Sequence, residues 1–197
     1  IQFNVQAMEI DRTEAFGYKS NKVGMSVGTG FEYYKNLDFG LGFDNFYEKI
    51  STDGSASALQ KTQDGNYWDT FLNVNFKYDT RNFTYDPTDG FISYYSINLP
   101  VLSDTNTLTN TYDYKFYTEL FENNVTTASI LLKTANSLSG DNIKLSERLY
   151  IPSRRLRGFE SGKIGPKDGS DYIGGNYMTA ANISTTLPTL FPNNEYI

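Results

Sequence analysis

"KVGMSVGTGFEYYKNLDFGLGFD", residues 22–44, alternates with a period of two. Val23, Met25, Val27, Thr29 and Phe31 take the odd positions; Lys22, Gly24, Ser26, Gly28 and Gly30 take the even ones. After "EYYKN" the pattern resumes, with Leu37, Phe39, Leu41 and Phe43 set against Asp38, Gly40, Gly42 and Asp44. Residues i and i+2 of a strand share a face, so this stretch predicts two antiparallel strands joined by a tight turn. One face is apolar. The other is glycine-rich, small or charged.

The same alternation recurs along the chain. Leu72, Val74, Phe76 and Tyr78 oppose Asn73, Asn75, Lys77 and Asp79. Further apolar sets are Phe91, Tyr95, Ile97, Leu99 and Val101, then Tyr112, Tyr114, Phe116 and Leu120, and last Tyr177, Thr179, Ala181, Ile183 and Leu187. The pattern is weaker from Ala128 to Thr134. With a strand from Ile1 to Ile10, about eight strands of about ten residues are expected. Strands of roughly 9–11 residues match a tilted bilayer crossing, whereas soluble strands average about 5–6. No amphipathic helix is expected.

The connections differ in length. "EYYKN", "YDPTDG" and "ENN" are short; "STDGSASALQKTQDGN" and the stretch from about Gly140 to Gly175 are long and polar; "VLSDTNTLTNT" is intermediate. Short turns on one side and long loops on the other is the pattern of outer-membrane barrels. In "DPTDG", Pro87 presets φ and Gly90 admits a positive φ, which supports a turn. Aromatics gather near strand ends: Phe31, Tyr33 and Tyr34 at one, Phe43, Phe46 and Tyr47 at the other. They read as interfacial girdles or as cross-strand aromatic packing.

Composition narrows the classes. The 197 residues include 16 Tyr, 14 Phe and one Trp, and aromatics make up 16%. Mean hydropathy is -0.49. Both a transmembrane barrel and a secreted glycan-binding sandwich fit those totals. In a sandwich, however, the second face would carry side chains suited to water rather than many glycines. No cysteine is present, which excludes disulfides and thiolate chemistry, and no histidine, which removes the commonest general base and metal ligand. No enzymatic activity, metal or cofactor is expected. A net charge of -6 disfavours nucleic acid as a partner. No stretch reads as a signal peptide or a membrane helix. The absence of an initiator Met and the ending "FPNNEYI" point to a piece of a longer chain.

Other candidate features have simpler explanations. The carboxylates Asp86 and Asp89 suit turn chemistry better than calcium or acid–base work. The glycines of residues 28–43 lack the helix that a phosphate loop needs. Asn124-Val125-Thr126 fits a glycosylation sequon.

The positive charge is concentrated in "RRLRGFESGKIGP", residues 154–166. A solvated basic loop is the plain reading. The density of glycines instead suggests backbone folded closely against something, with an arginine paired to a carboxylate. A guanidinium fork suits such bidentate pairing.

At these residues the chain resembles the BamA family of outer-membrane β-barrel assembly insertases. The resemblance is carried by Leu156, Arg157, Gly158 and Phe159; then Ile164, Gly165, Pro166, Lys167 and Asp168; then Gly174, Gly175 and Asn176 opening a strand. Upstream, "YDTRNFTYDPTDGF" is similar to the family's periplasmic turn, through Asp79, Arg81, Asp86, Pro87 and Gly90. The resemblance implies an all-β fold, a transmembrane antiparallel barrel of which about eight of sixteen strands are present, without POTRA domains or the first and last strands. It implies a bacterial outer-membrane location. The implied partners are unfolded outer-membrane proteins, Bam accessory lipoproteins and outer-membrane lipid. The implied mechanism is lateral opening of a seam and pairing with client strands, and Arg157 is implied as a latch inside the lumen. Arg154 and Arg155 are expected to be solvated. The family's acidic partner on the strand after the loop corresponds to Ser184, a departure. The alternatives are a TamA-like or two-partner secretion transporter, a passive porin, or a soluble glycan-binding sandwich. Two open sheet edges are expected in this piece alone, so it is not expected to form a stable isolated barrel.

Overall fold

The computed structural model describes residues 1–13, 17–121, 124–160 and 162–186. Eight strands form one antiparallel sheet: β1 (Gln2–Arg12), β2 (Tyr18–Tyr34), β3 (Leu37–Thr52), β4 (Gly65–Asp79), β5 (Gly90–Pro100), β6 (Thr107–Phe121), β7 (Asn124–Ser137) and β10 (Tyr177–Thr185). Each pairs with its sequence neighbour, in the order β1-β2-β3-β4-β5-β6-β7-β10. Two further strands of two residues, β8 (Lys167–Asp168) and β9 (Asp171–Tyr172), form a hairpin inside the connection from β7 to β10. One four-residue helix, α1 (Ala58–Lys61), lies between β3 and β4.

The predicted hairpin forms, and the structure sets its register. Val27 stands opposite Phe43, Gly28 opposite Gly42, and Gly30 opposite Gly40. Phe39 in turn faces Phe76, and Leu41 faces Val74. The turn between β2 and β3 is the two residues Lys35 and Asn36, with Asn36 at φ 66°. A two-residue hairpin turn needs this left-handed conformation, which asparagine tolerates.

Several strands exceed the expected ten residues: β2 has 17 and β3 has 16. The extra length lies at the Tyr18 and Thr52 end, where the paired strands run on beneath the long β7–β10 connection. The "YDPTDG" turn is also longer than expected, spanning residues 80–89 between β4 and β5. Arg81 folds back on Asp79, with Nε and Nη2 donating to its two oxygens at 2.8 and 2.7 Å. The Asn82 side chain accepts from the backbone N–H groups of Phe83, Thr88 and Asp89. Gly90, at φ 96°, has no room for a Cβ beside the Thr80 carbonyl, which accounts for glycine there. Glu122 and Asn123 of "ENN", and Leu187, lie outside the described residues.

The two faces differ as the alternation predicted. On β2, Val23, Met25 and Val27 are 54%, 51% and 44% exposed, although they sit mid-strand in a well-paired sheet. An apolar face this extensive with no protein against it belongs in lipid. Its aromatics stack across strands: Phe31 on Phe39 at 5.6 Å, Phe39 on Phe76 at 5.2 Å and Phe91 on Tyr114 at 5.7 Å near the turn end, and Tyr47 with Trp68 at 6.3 Å near the other. The girdle is thus itself built from cross-strand pairs. Phe46 is the exception to the girdle reading. It is buried on the inner face, with the Lys22 ammonium 4.1 Å from its ring centre.

The inner face is covered by residues 138–176. Tyr18, Ile50 and Leu145 form one buried cluster. Leu131, Met178 and Ala180 form another, against Leu149 and Ile151 of the connection. This second cluster explains the weak alternation around Ala128 to Thr134. Inward-facing Leu131 is apolar because loop side chains, not water, pack on it.

Candidate functional site

The β7–β10 connection is held at three places, two on the inner wall and one on the β3–β4 connection, each built from residues distant in sequence. The first is Lys144. It is 2% exposed, and its ammonium meets Glu48 Oε2 of β3 at 2.9 Å, Asp69 Oδ2 of β4, and Glu147 Oε1 at 3.4 Å. The carboxylates are also served by hydroxyls. Ser146 Oγ donates to Glu48 at 2.9 Å, and Thr105 Oγ1 donates to Asp69 at 2.9 Å. The Gln63 amide clasps the loop backbone, donating to the Ile143 carbonyl at 3.1 Å and accepting from the Leu145 N–H at 2.7 Å. Burial alone would depress the Lys144 pKa, but the three carboxylates outweigh it and hold the ammonium above the ordinary lysine range. Burial pushes the Glu147 carboxyl up, opposed only in part by Lys144.

The second is Arg155. Its Nη2 donates to both oxygens of Asp113 on β6, at 2.6 and 2.7 Å, and its Nη1 to Ser129 Oγ on β7 at 2.9 Å. Its backbone carbonyl accepts from Asn182 Nδ2 of β10 at 2.7 Å. Arg155 is 8% exposed, so the expectation that it is solvated is corrected; Arg154 is exposed as expected. The local cause is a single turn of 3-10 helix, Ser153–Arg155, after Pro152, which aims Arg155 at the wall.

The third is the β8–β9 hairpin. Asp168 Oδ2 accepts from the Leu59 N–H at 3.0 Å, and Asp171 Oδ2 from the Ser57 N–H at 3.1 Å. Both carboxylates therefore satisfy free N–H groups at the start of α1, which Ser57 and Gln60 also cap. These hydrogen bonds hold the Asp168 carboxyl below the usual range.

The expected motif residues fall around these anchors. Leu156, Phe159 and Ile164 come together with Ile151 around one small pocket. Gly158, Gly165, Pro166 and Lys167 are exposed. Gly174 is at φ 73°, with the Tyr150 ring 2.9 Å from where a Cβ would stand. Gly175 exchanges two backbone hydrogen bonds with Leu149, both 2.9 Å, and the Asn176 carbonyl accepts from Ala135 at 2.8 Å. Asp79, Arg81, Asp86, Pro87 and Gly90 belong to the β4–β5 turn at the opposite end of the strands and do not join the loop.

Arg157 is exposed. It lines a cavity of about 510 Å³ with Asp113, Lys115, Ser129, Arg154, Arg155, Asn182, Ile183 and Ser184. Four cations share that cavity with one carboxylate. The buried Asn182 Oδ1 has no hydrogen-bond partner among the described residues. What the arrangement does is hold a loop in place.

A family model for the Omp85 superfamily domain matches residues 1–196. The chain belongs to the Omp85 superfamily. Among solved structures it is similar to BamA from Haemophilus ducreyi lacking POTRA domains 1–3, with a TM-score of 0.86 and 21% sequence identity. That likeness covers 98% of this chain and 43% of the other, so the chain spans less than half of that structure. No curated protein is similar enough to be detected. The sheet is therefore eight strands of a transmembrane antiparallel β-barrel, and its apolar outer face is the lipid face. In this Omp85 chain the β7–β10 connection covers the lumenal wall, and its glycine and apolar motif residues shape the covered surface.

Proposed function

We propose that this chain is part of a BamA-like insertase that assembles β-barrel proteins in the bacterial outer membrane. The observation that carries the reading is the β7–β10 connection. It bears the ordered Leu156–Phe159, Ile164–Asp168 and Gly174–Asn176 segments and is pinned inside the wall by ion pairs rather than left in water. In this reading residues 1–197 belong to the C-terminal barrel domain, and residues of about 140–175 are its long extracellular loop folded inward. The wall described here is the static side of the barrel. A seam elsewhere opens laterally and pairs with client strands by β-augmentation. Unfolded outer-membrane proteins are the clients, accessory lipoproteins are co-partners, and lipid is the medium. Arg157 acts as a latch on a carboxylate outside the described residues, because Ser184 offers only a hydroxyl across its cavity.

The continuation from "GPKD" to "GGN" favours this reading over a TamA-like factor or a two-partner secretion transporter. A passive porin does not need a loop clamped by buried charge. The test is depletion of the full-length protein in cells, together with an Arg157→Ala variant. The expected result is loss of several unrelated outer-membrane barrels on depletion, and a partial loss with the variant at normal protein level. If depletion leaves the other barrels inserted, the insertase reading is wrong.

A further inference from the structure

The geometry points to Arg155, through Asp113, as the residue that fixes this loop to the barrel wall: a positioning residue distinct from Arg157. Three adjacent strands converge on it. Both oxygens of Asp113 on β6 accept from its Nη2 at 2.6 and 2.7 Å, Ser129 of β7 accepts from Nη1 at 2.9 Å, and Asn182 of β10 donates to its carbonyl at 2.7 Å. Its neighbours Arg154 and Arg157 are both exposed, so the selection is of one arginine out of three. Among the described residues Arg157 makes no ion pair, and the β10 residues lining its cavity, Asn182, Ile183 and Ser184, include no carboxylate. The carboxylate that takes an arginine of this cluster is therefore on β6, two strands away from β10, and that arginine lies two residues before Arg157. With Nη2 on Asp113 and Nη1 on Ser129, two nitrogens of one planar guanidinium are held by two strands, which fixes direction as well as distance, as a lysine at 155 could not. Held this way, the loop stays seated while Arg157 remains available to an anion on the far side of the cavity.

The inference rests on reading the loop as lodged in the lumen, and its test does not depend on assembly activity. Chymotrypsin is added to the purified full-length barrel in detergent, and cleavage after the exposed Phe159, a site that none of the variants below alters, is followed on the folded, heat-modifiable band alone. Arg155→Asp and Asp113→Arg should each speed that cleavage by at least about tenfold, because each strands a charge in the wall. The double swap Arg155→Asp/Asp113→Arg should return it to near the parent rate. Should a reversal fail to fold, Arg155→Gln and Asp113→Asn give the same readout with smaller disturbance. Arg157→Ala should leave the rate unchanged. Unchanged cleavage in the Arg155 and Asp113 variants overturns the proposal, and so does a double swap as labile as its parents. A barrel that assembles no clients still reports the anchor, so failure of the insertase reading remains distinguishable.

Discussion

At Lys144 one cation meets three carboxylates in a site closed to water; at Arg155 four cations crowd one carboxylate beside a cavity of about 510 Å³. Both hold the same loop, and they are built in opposite senses. Around Lys144 the acids are hydroxyl-bonded and their cation is satisfied, so the site can only be sealed or broken. Around Arg155 the pair itself is complete, but Lys115, Arg154 and Arg157 make no ion pair among the described residues. Asp113 is also more open than the Lys144 acids, with a side chain 28% exposed. The first region acts as a rivet. The second combines an anchor with an open cavity lined by three further cations.

The largest expected effect tests the rivet. Lys144→Ala leaves three carboxylates facing one another in a buried site, so the folded barrel should lose about 3–5 kcal/mol. Thermal loss of the heat-modifiable band of the full-length protein measures it. Arg155→Ala should cost less, about 1.5–3 kcal/mol, the range for hydrogen bonds to charged groups, since water reaches Asp113. If the Arg155 variant proves the more damaging, the comparison is inverted.

Next comes pH. Glu147 has a raised pKa in the folded protein, so the fold binds more protons than the unfolded chain between the ordinary carboxylate pKa and the raised one. Its contribution is fully present below the ordinary value and declines as pH rises through the folded one. Lys144, also raised, contributes fully below the ordinary lysine pKa of about 10.4 and loses that contribution only at higher pH. Melting in mildly acidic to neutral buffers should therefore show a shallow fall with pH that Glu147→Gln removes and that Arg155 variants retain. The smallest effect is Arg157→Ala, within about 0.5 kcal/mol because the side chain is exposed. Any assembly defect in that variant would then report a lost contact beyond the described residues rather than a weakened fold.

Much of this was legible in the chain. The period of two read the faces of β2 and β3 correctly, because strand side chains alternate whatever surrounds them, while the pairing of Gly28 with Gly42 came from the structure. The same parity puts Glu48, in line with Gly40 and Gly42, Asp69, in line with Asn73, and Asp113, between the outward Tyr112 and Tyr114, on the inner face, although none of the three stood out in the chain. An inward acid that a loop shuts off from water is stabilised by a cation, and that signal could have directed attention to the loop's Lys144 and Arg155. The motif itself drew the eye to Arg157 instead. Phe46 misled in another way. Its neighbour Tyr47 is a girdle residue, but Phe46 has the parity of the inner face and lies buried beneath the Lys22 ammonium.

The sequence alone determined the strands, their two faces, the turn at Lys35 and Asn36, and the existence of one unusual loop, because each of these follows from local period and local backbone preference. Only the tertiary structure decided how the loop is held. Arg155 meets Asp113 across 42 residues and Lys144 meets Asp69 across 75. Which of three clustered arginines loses its water depends on where the wall places its carboxylates, and spacing along the chain carries no record of that.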